Sequence, residues 1–159
     1  GLKATAPDRK NTGDEYLDKQ QLMDIQVLST LGLTKDDIKA LGAQDNIERA
    51  VGAYCIDAWA GDLVAKAYSI TDGMNLLTVT SGRMPESPDE CIVDKNLLEK
   101  MKISVGDSIT IDPSDDYEDC LTHKNFTIVG TAVSPYYISV ERGSASIGSG
   151  NVRADVYLP

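Results

Sequence analysis

The sequence predicts an α+β fold, with two short helices and seven or eight strands in mixed, mostly antiparallel sheets. Three observations carry that expectation. Short apolar runs of strand length, several alternating with polar residues, recur along most of the chain. Only two stretches have the stop-and-start chemistry of a helix. The runs follow one another through Gly-, Pro- and Asp-rich turns, without the regular strand and helix alternation of a parallel sheet.

Size and composition allow such a fold to stand alone. The chain has 159 residues, 42% hydrophobic and 25% charged, an ordinary globular balance. At this length about 70% of the unfolded surface can be buried. A formal net charge of −10 argues against a nucleic-acid partner, whose phosphates most faces of the protein would repel.

Taken in order, residues 1–14 are polar, hold Pro7 and Gly13 and show no apolar period, so they read as a disordered lead-in. In "LMDIQVLS", Met23, Ile25 and Val27 alternate with polar neighbours and predict a strand. "LGLTKDDIKALGAQ" predicts a helix with Thr34 as N-cap, Asp37 completing a capping box, Ile38 and Leu41 as its buried stripe and Gly42 at its end. "IERAVGAYCIDAW" predicts the next strand, which Tyr54 and Trp59 are expected to pack, with the lining of a ligand pocket as the alternative for both. "DLVAKAYSI" and "NLLTVTSG" flank Asp72-Gly73, a dipeptide that tolerates positive φ, and so predict a hairpin.

The second half is denser in signals. "ECIVD" is a short strand, and Asp94 caps "KNLLEKMK", where Leu97, Leu98 and Met101 share a face. Val105-Gly106-Asp107 turns into "SITI". The acidic "DPSDDYEDC" reads as a hairpin tip before "NFTIVGTAVS", and "ADVYLP" is the last strand. Between those two strands "PYYISVERGSASIGSGN" reads as a long surface loop, where Tyr136, Tyr137 and Arg142 are the candidate partner-binding residues.

Catalytic and metal-binding patterns fare poorly. The cysteines, Cys55, Cys91 and Cys120, form no C-x-x-C pair and no zinc set, and an odd number leaves one thiol over in any disulfide arrangement. His123 is the only histidine and lies near no nucleophile elbow. A calcium loop counted from Asp112 puts Tyr117 where Gly is needed and His123 where Glu is needed. Gly143 and Gly148 have P-loop spacing, but Ser149 and Gly150 follow in place of Lys and Ser/Thr. The expectation is a non-enzymatic protein without cofactor or metal.

The order of five segments then becomes informative: "LGLTKDDIKAL", "TVTSGRMPESPDECIVD", "MKISVGDSITI", "FTIVGTAVSPYYIS" and "VYLP". Together, from about Leu22 to Pro159, they resemble the extracytoplasmic domain of FtsX-like or MacB-like ABC transporter permeases. Gly82, Arg83, Pro85, Glu90, Gly106, Asp107, Val129, Gly130, Ser134 and Pro135 stand at positions of that pattern. Their expected roles are structural: Gly82 and Pro85 for a corner, Gly106-Asp107 for a tight strand entry, Gly130 for a bulge or close backbone approach. Arg83 would hold a backbone carbonyl or Glu90, or simply sit on the surface. Cys91 stands where an apolar residue is usual and would serve as a small buried thiol.

The resemblance implies a core domain over 15–159, with an α/β porter-like subdomain and a distal β-rich one spanning approximately 62–158. It further implies a bacterial protein whose domain lies outside the membrane, at the cell surface or in the periplasm, between transmembrane helices. Through them a cytoplasmic ATPase would couple hydrolysis to an external protein, peptide or lipoprotein partner, in a dimeric whole. The beginning and end of the chain read as the two trimmed ends of such a domain. The alternative expectation is a stand-alone secreted ligand-binding or adhesion module.

Overall fold

The computed structural model describes residues 19, 21, 23–27, 33–135, 147–148, 151–152 and 154–159. The described residues fall into two compact units, one made of those within 1–52 together with 71–77, the other of those within 53–70 and 78–159.

The first unit contains helix α1, Lys35–Gly42. It starts as its capping box dictates: the Asp37 N–H donates to Thr34 Oγ1, and the Thr34 N–H donates to Asp37 Oδ2 at 2.8 Å. The anticipated buried stripe is weaker than expected, because Ile38 and Leu41 are only half-buried and no residue of α1 is fully buried. Residues 23–27 form no strand, and Ile25 and Val27 are exposed, so alternation there did not correspond to a covered face. The Asp72-Gly73 turn exists, with Gly73 at φ +68°, but Arg49 grips it through the carbonyls of Asp72 and Gly73.

The second unit is a sheet of seven strands: β1 Cys55–Ala60, β2 Leu63–Ser69, β3 Thr78–Gly82, β4 Glu90–Val93, β5 Ser108–Pro113, β6 Asn125–Val133 and β7 Ala154–Leu158. Their order is β3-β6-β4-β7-β2-β1-β5, and an added β5–β6 pairing closes six of them into a barrel. Two pairs, β2–β7 and β4–β6, are parallel, and the rest are antiparallel. The fold is thus α+β with a mixed, mostly antiparallel sheet.

The expected hairpin across residues 62–82 does not form. β2 pairs with β1 through the tight turn at Gly61, φ +59°, and β3 pairs with β6. Turn chemistry at Asp72-Gly73 was real, but residues 71–77 belong to the first unit, so the flanking strands separate to different neighbours.

Alternation fills the barrel. Ile56, Ala58 and Ala60 of β1, Ala65 and Ala67 of β2, Cys91 and Val93 of β4, Ile109 and Ile111 of β5, Phe126 and Ile128 of β6, and Ala154, Val156 and Leu158 of β7 form one core. Helix α2, Lys95–Met101, contributes fully buried Leu97 to that core, with Leu98 and Met101 packed against it.

Asp94 joins helix to barrel. Its Oδ1 accepts from the Leu97 N–H at 2.8 Å, its Oδ2 accepts from the Asp155 N–H at 3.1 Å, and its own N–H donates to the Asp155 carbonyl. One buried carboxylate therefore caps α2 and ties β4 to β7. Asp94→Ala removes the cap and strips a partner from a buried N–H, and should cost about 3 kcal/mol in urea unfolding. Asp94→Asn, which keeps one acceptor oxygen, should lose less.

Candidate functional site

The residues singled out in the sequence assemble around one strand. β6 has β4 along one edge, while its other edge is shared by β5 at residues 125–127 and β3 at residues 130–133. Where those two neighbours part, Gly82, Arg83, Gly106 and Asp107 meet Ile128, Val129 and Gly130.

At this junction backbones approach too closely for side chains. A Cβ on Gly82, which sits at φ +70°, would lie 2.2 Å from the Val129 carbonyl oxygen and 2.7 Å from Gly130 Cα. A Cβ on Gly130 would lie 2.6 Å from the Ser81 oxygen and 2.7 Å from the Arg83 oxygen. The β4–β6 register also shifts between Cys91 and Ile92, so Gly130 provides both the close approach and the irregularity expected of it.

From Gly82 the chain must reach β4 on the far side of β6, and residues 83–89 make that crossing. Glu90 gathers the crossing segment. Its Oε1 accepts from Arg83 Nη2 at 2.6 Å, and its Oε2 accepts from Arg83 Nη1 at 2.8 Å and from the Glu86 N–H at 2.8 Å. Oε2 also takes a longer bond from the Ser87 N–H, while Arg83 Nη1 donates to the Met84 carbonyl. Arg83 thus holds both a backbone carbonyl, that of Met84, and Glu90. The Arg83 bonds first, and the Glu86 N–H second, hold the Glu90 carboxyl down at about 2. Pro85 lies inside this loop, half-buried.

The Gly106-Asp107 entry is built the same way. Asp107 Oδ2 accepts from the Ser104 N–H at 2.8 Å, and Gly106, at φ +103°, donates its N–H to the Ile128 carbonyl at 2.8 Å. The Ile128 N–H donates to the Asp107 carbonyl. The side chains of Arg83, Glu90 and Asp107, which the sequence nominated, each bond to backbone or to another motif residue. That is the chemistry of a joint.

A separate feature was anticipated only in Tyr54, as the less favoured of its two expected roles. At one mouth of the barrel a cleft of about 480 Å³ is lined by Tyr54, Pro88, Cys120, Leu121, Thr122, His123, Phe126, Leu158 and Pro159. Cys120 and His123 both line it, but the described lining includes no Asp or Glu side chain to orient the imidazole. Burial, and then Cys120, raise the Tyr54 phenol above its usual value. The acidic segment preceding Cys120 forms short 3-10 turns, Asp115–Cys120, that kink at Tyr117, and among the described residues no group of three or more His, Cys, Asp or Glu could hold a metal ion.

On the barrel's outer face Asp57, Lys66 and Asp155 are cross-strand neighbours. Lys66 Nζ donates to Asp57 Oδ1 at 3.0 Å. Burial opposes the ammonium, yet the Asp57 bond together with Cys55, Asp57 and Asp155 holds its pKa above the usual lysine value. Nothing but the period-2 placement of a Lys between two Asp on outward positions signalled this row. Trp59, also outward, packs against Gly148. Tyr136, Tyr137 and Arg142 lie outside the described residues.

No known family model, curated protein or solved structure matches this chain.

Three outcomes follow from the joint. Gly82→Ala and Gly130→Ala should each cost about 3 kcal/mol in denaturant unfolding, through overlap with backbone that cannot move aside. Gly106→Ala, whose Cβ would meet nothing within 4 Å, should cost about 1–2 kcal/mol from its φ alone. Because Glu90 titrates at about 2 when folded and near the usual 4.5 when unfolded, its contribution is complete above the higher value and vanishes as pH falls through the lower one. Wild type should therefore lose more stability than Glu90→Gln between those two values, as acid titration of the unfolding midpoint would show. Among the thiols, Cys91 is fully buried with its pKa pushed up to about 12, so a thiol reagent should modify Cys120 first, Cys55 more slowly and Cys91 only on unfolding.

Proposed function

We propose that this chain is the extracytoplasmic domain of an FtsX-like or MacB-like ABC transporter permease, a non-catalytic arm that couples a cytoplasmic ATPase to an external partner. The observation that carries the reading is the joint on β6. The described parts of four segments recognised by their order, "TVTSGRMPESPDECIVD", "MKISVGDSITI", "FTIVGTAVSP" and "VYLP", belong to one sheet, and Gly82, Arg83, Glu90, Gly106, Asp107, Val129 and Gly130 of the permease pattern interlock there. A pattern retained for architecture suits a domain that transmits force or offers surface. It does not suit one whose key side chains must face a substrate.

The division of the chain adds support. One unit holds helix α1 and the other the β-rich barrel, as a porter-like part and a distal part would be divided. In this reading the partner is a protein, peptide or lipoprotein outside the membrane, and the whole protein is a dimer carried by its transmembrane helices. No described helix is long and apolar enough to cross a membrane, so the spans would come from other parts of the gene product.

The barrel-mouth cleft supports a second reading, a secreted ligand-binding module, because barrel mouths are favoured ligand sites. One experiment separates the two. The open reading frame is read for apolar spans of about 20 residues on both sides of this domain, and the product is expressed and fractionated. The permease reading expects both spans, a membrane-bound product whose barrel is cleaved by protease added from outside, and a co-purifying ATPase. A product without spans, released in soluble form, would overturn it in favour of the secreted module.

A further inference from the structure

Closing a barrel removes strand edges, and among the described residues one is left. β1, β2, β4, β5, β6 and β7 each pair with at least two other strands, whereas among the described residues β3 pairs with β6 alone. Four of its five residues are exposed, and Thr78, Val79, Thr80 and Ser81 include no charge and no proline, the usual guards of a bare edge. Valine and threonine favour extended backbone. The strand is also held in place: Thr80 Oγ1 and Thr131 Oγ1 are 2.7 Å apart, and Gly82 is locked against Val129 and Gly130. An incoming strand would meet a preorganised edge and would not have to order it.

We propose that the free edge of β3 is a docking site for an extended, basic polypeptide segment of another protein, which joins the sheet as an added strand. Main-chain donors and acceptors select a strand as the occupant, since only extended backbone matches their spacing. Two features select a flexible segment of a different protein over a second copy of this one. The register shift between Val79 and Ser81 bends the edge, and two identical rigid bent edges mate poorly while a flexible segment follows the bend. A net charge of −10 on each copy opposes self-association and draws in a basic segment. The half-exposed Val79 gives such a segment an apolar side chain to cover. The site takes its biological meaning from the partner-engaging function proposed above, but its existence is tested separately from the membrane topology.

The test uses the isotope-labelled chain and three synthetic acetylated peptides. One is an alternating Val-Thr nonapeptide with Lys at both ends, one is the same with Glu ends, and one is the Lys-ended peptide N-methylated at alternate residues. Amide shifts and exchange rates are followed by NMR. The Lys-ended peptide should perturb Thr78–Gly82 and slow exchange there by at least about tenfold at saturation, because an added ladder protects edge amides. At low salt the Glu-ended peptide should bind several-fold more weakly, and the N-methylated one should leave β3 unchanged. Three results would overturn the proposal: slow exchange of every β3 amide in the free protein, which would mean the edge is already covered; no perturbation of β3 by the Lys-ended peptide; or equal binding of the N-methylated peptide. Concentration-dependent self-association lost in Thr80→Pro would likewise overturn it, by assigning the edge to a second copy.

Discussion

The barrel depends on a steric condition at one point of β6. This strand has to accept three neighbours, β3, β4 and β5, and the chain leaving β3 has to cross it to reach β4. Two backbones can pass at that distance only where Cβ atoms are missing, and Gly82 and Gly130 supply the two gaps. Once the approach is made, the remaining bonds are local. Arg83 and Glu90 tie the two ends of the crossing segment, and Gly106-Asp107 delivers β5 to the opposite stretch of the same edge. The same condition leaves β3 outside the closed barrel, and so determines where the sheet stays open.

What was legible in the sequence was chemistry whose partners lie within a few positions. Thr34 and Asp37 are three residues apart, as are Asp94 and Leu97, and both caps formed as read. β4, β5, β6 and β7 were found because apolar runs with turn residues at their borders are hard to bury in any other way. Asp94 also carries information that could not be read locally, since its second oxygen serves Asp155, sixty-one positions away.

The failures share a cause. Asp72-Gly73 made its turn, but a turn only reverses the chain and does not decide which strands pair. Alternation over Met23, Ile25 and Val27 indicates one potential apolar face, yet a face becomes a strand only if a neighbour covers it. The motif residues were read one by one as corners, strand entries and bulges, while their convergence on Val129 and Gly130 was invisible, because it depends on topology. The barrel-mouth cleft was missed for the same reason: Tyr54 and His123 are far apart in the chain and meet only when the barrel closes.

If Gly82 and Gly130 serve a single contact, their substitutions must be coupled, and a double-mutant cycle measures that coupling directly. Unfolding free energies of Gly82→Ala, Gly130→Ala and the double variant would be compared with wild type. Once the first methyl has forced β3 away from β6, the second has less left to disrupt, so the double variant should be destabilised by at least about 1 kcal/mol less than the sum of the single losses. Additive losses would mean that the two glycines act at independent places, and would contradict a joint built on one close crossing.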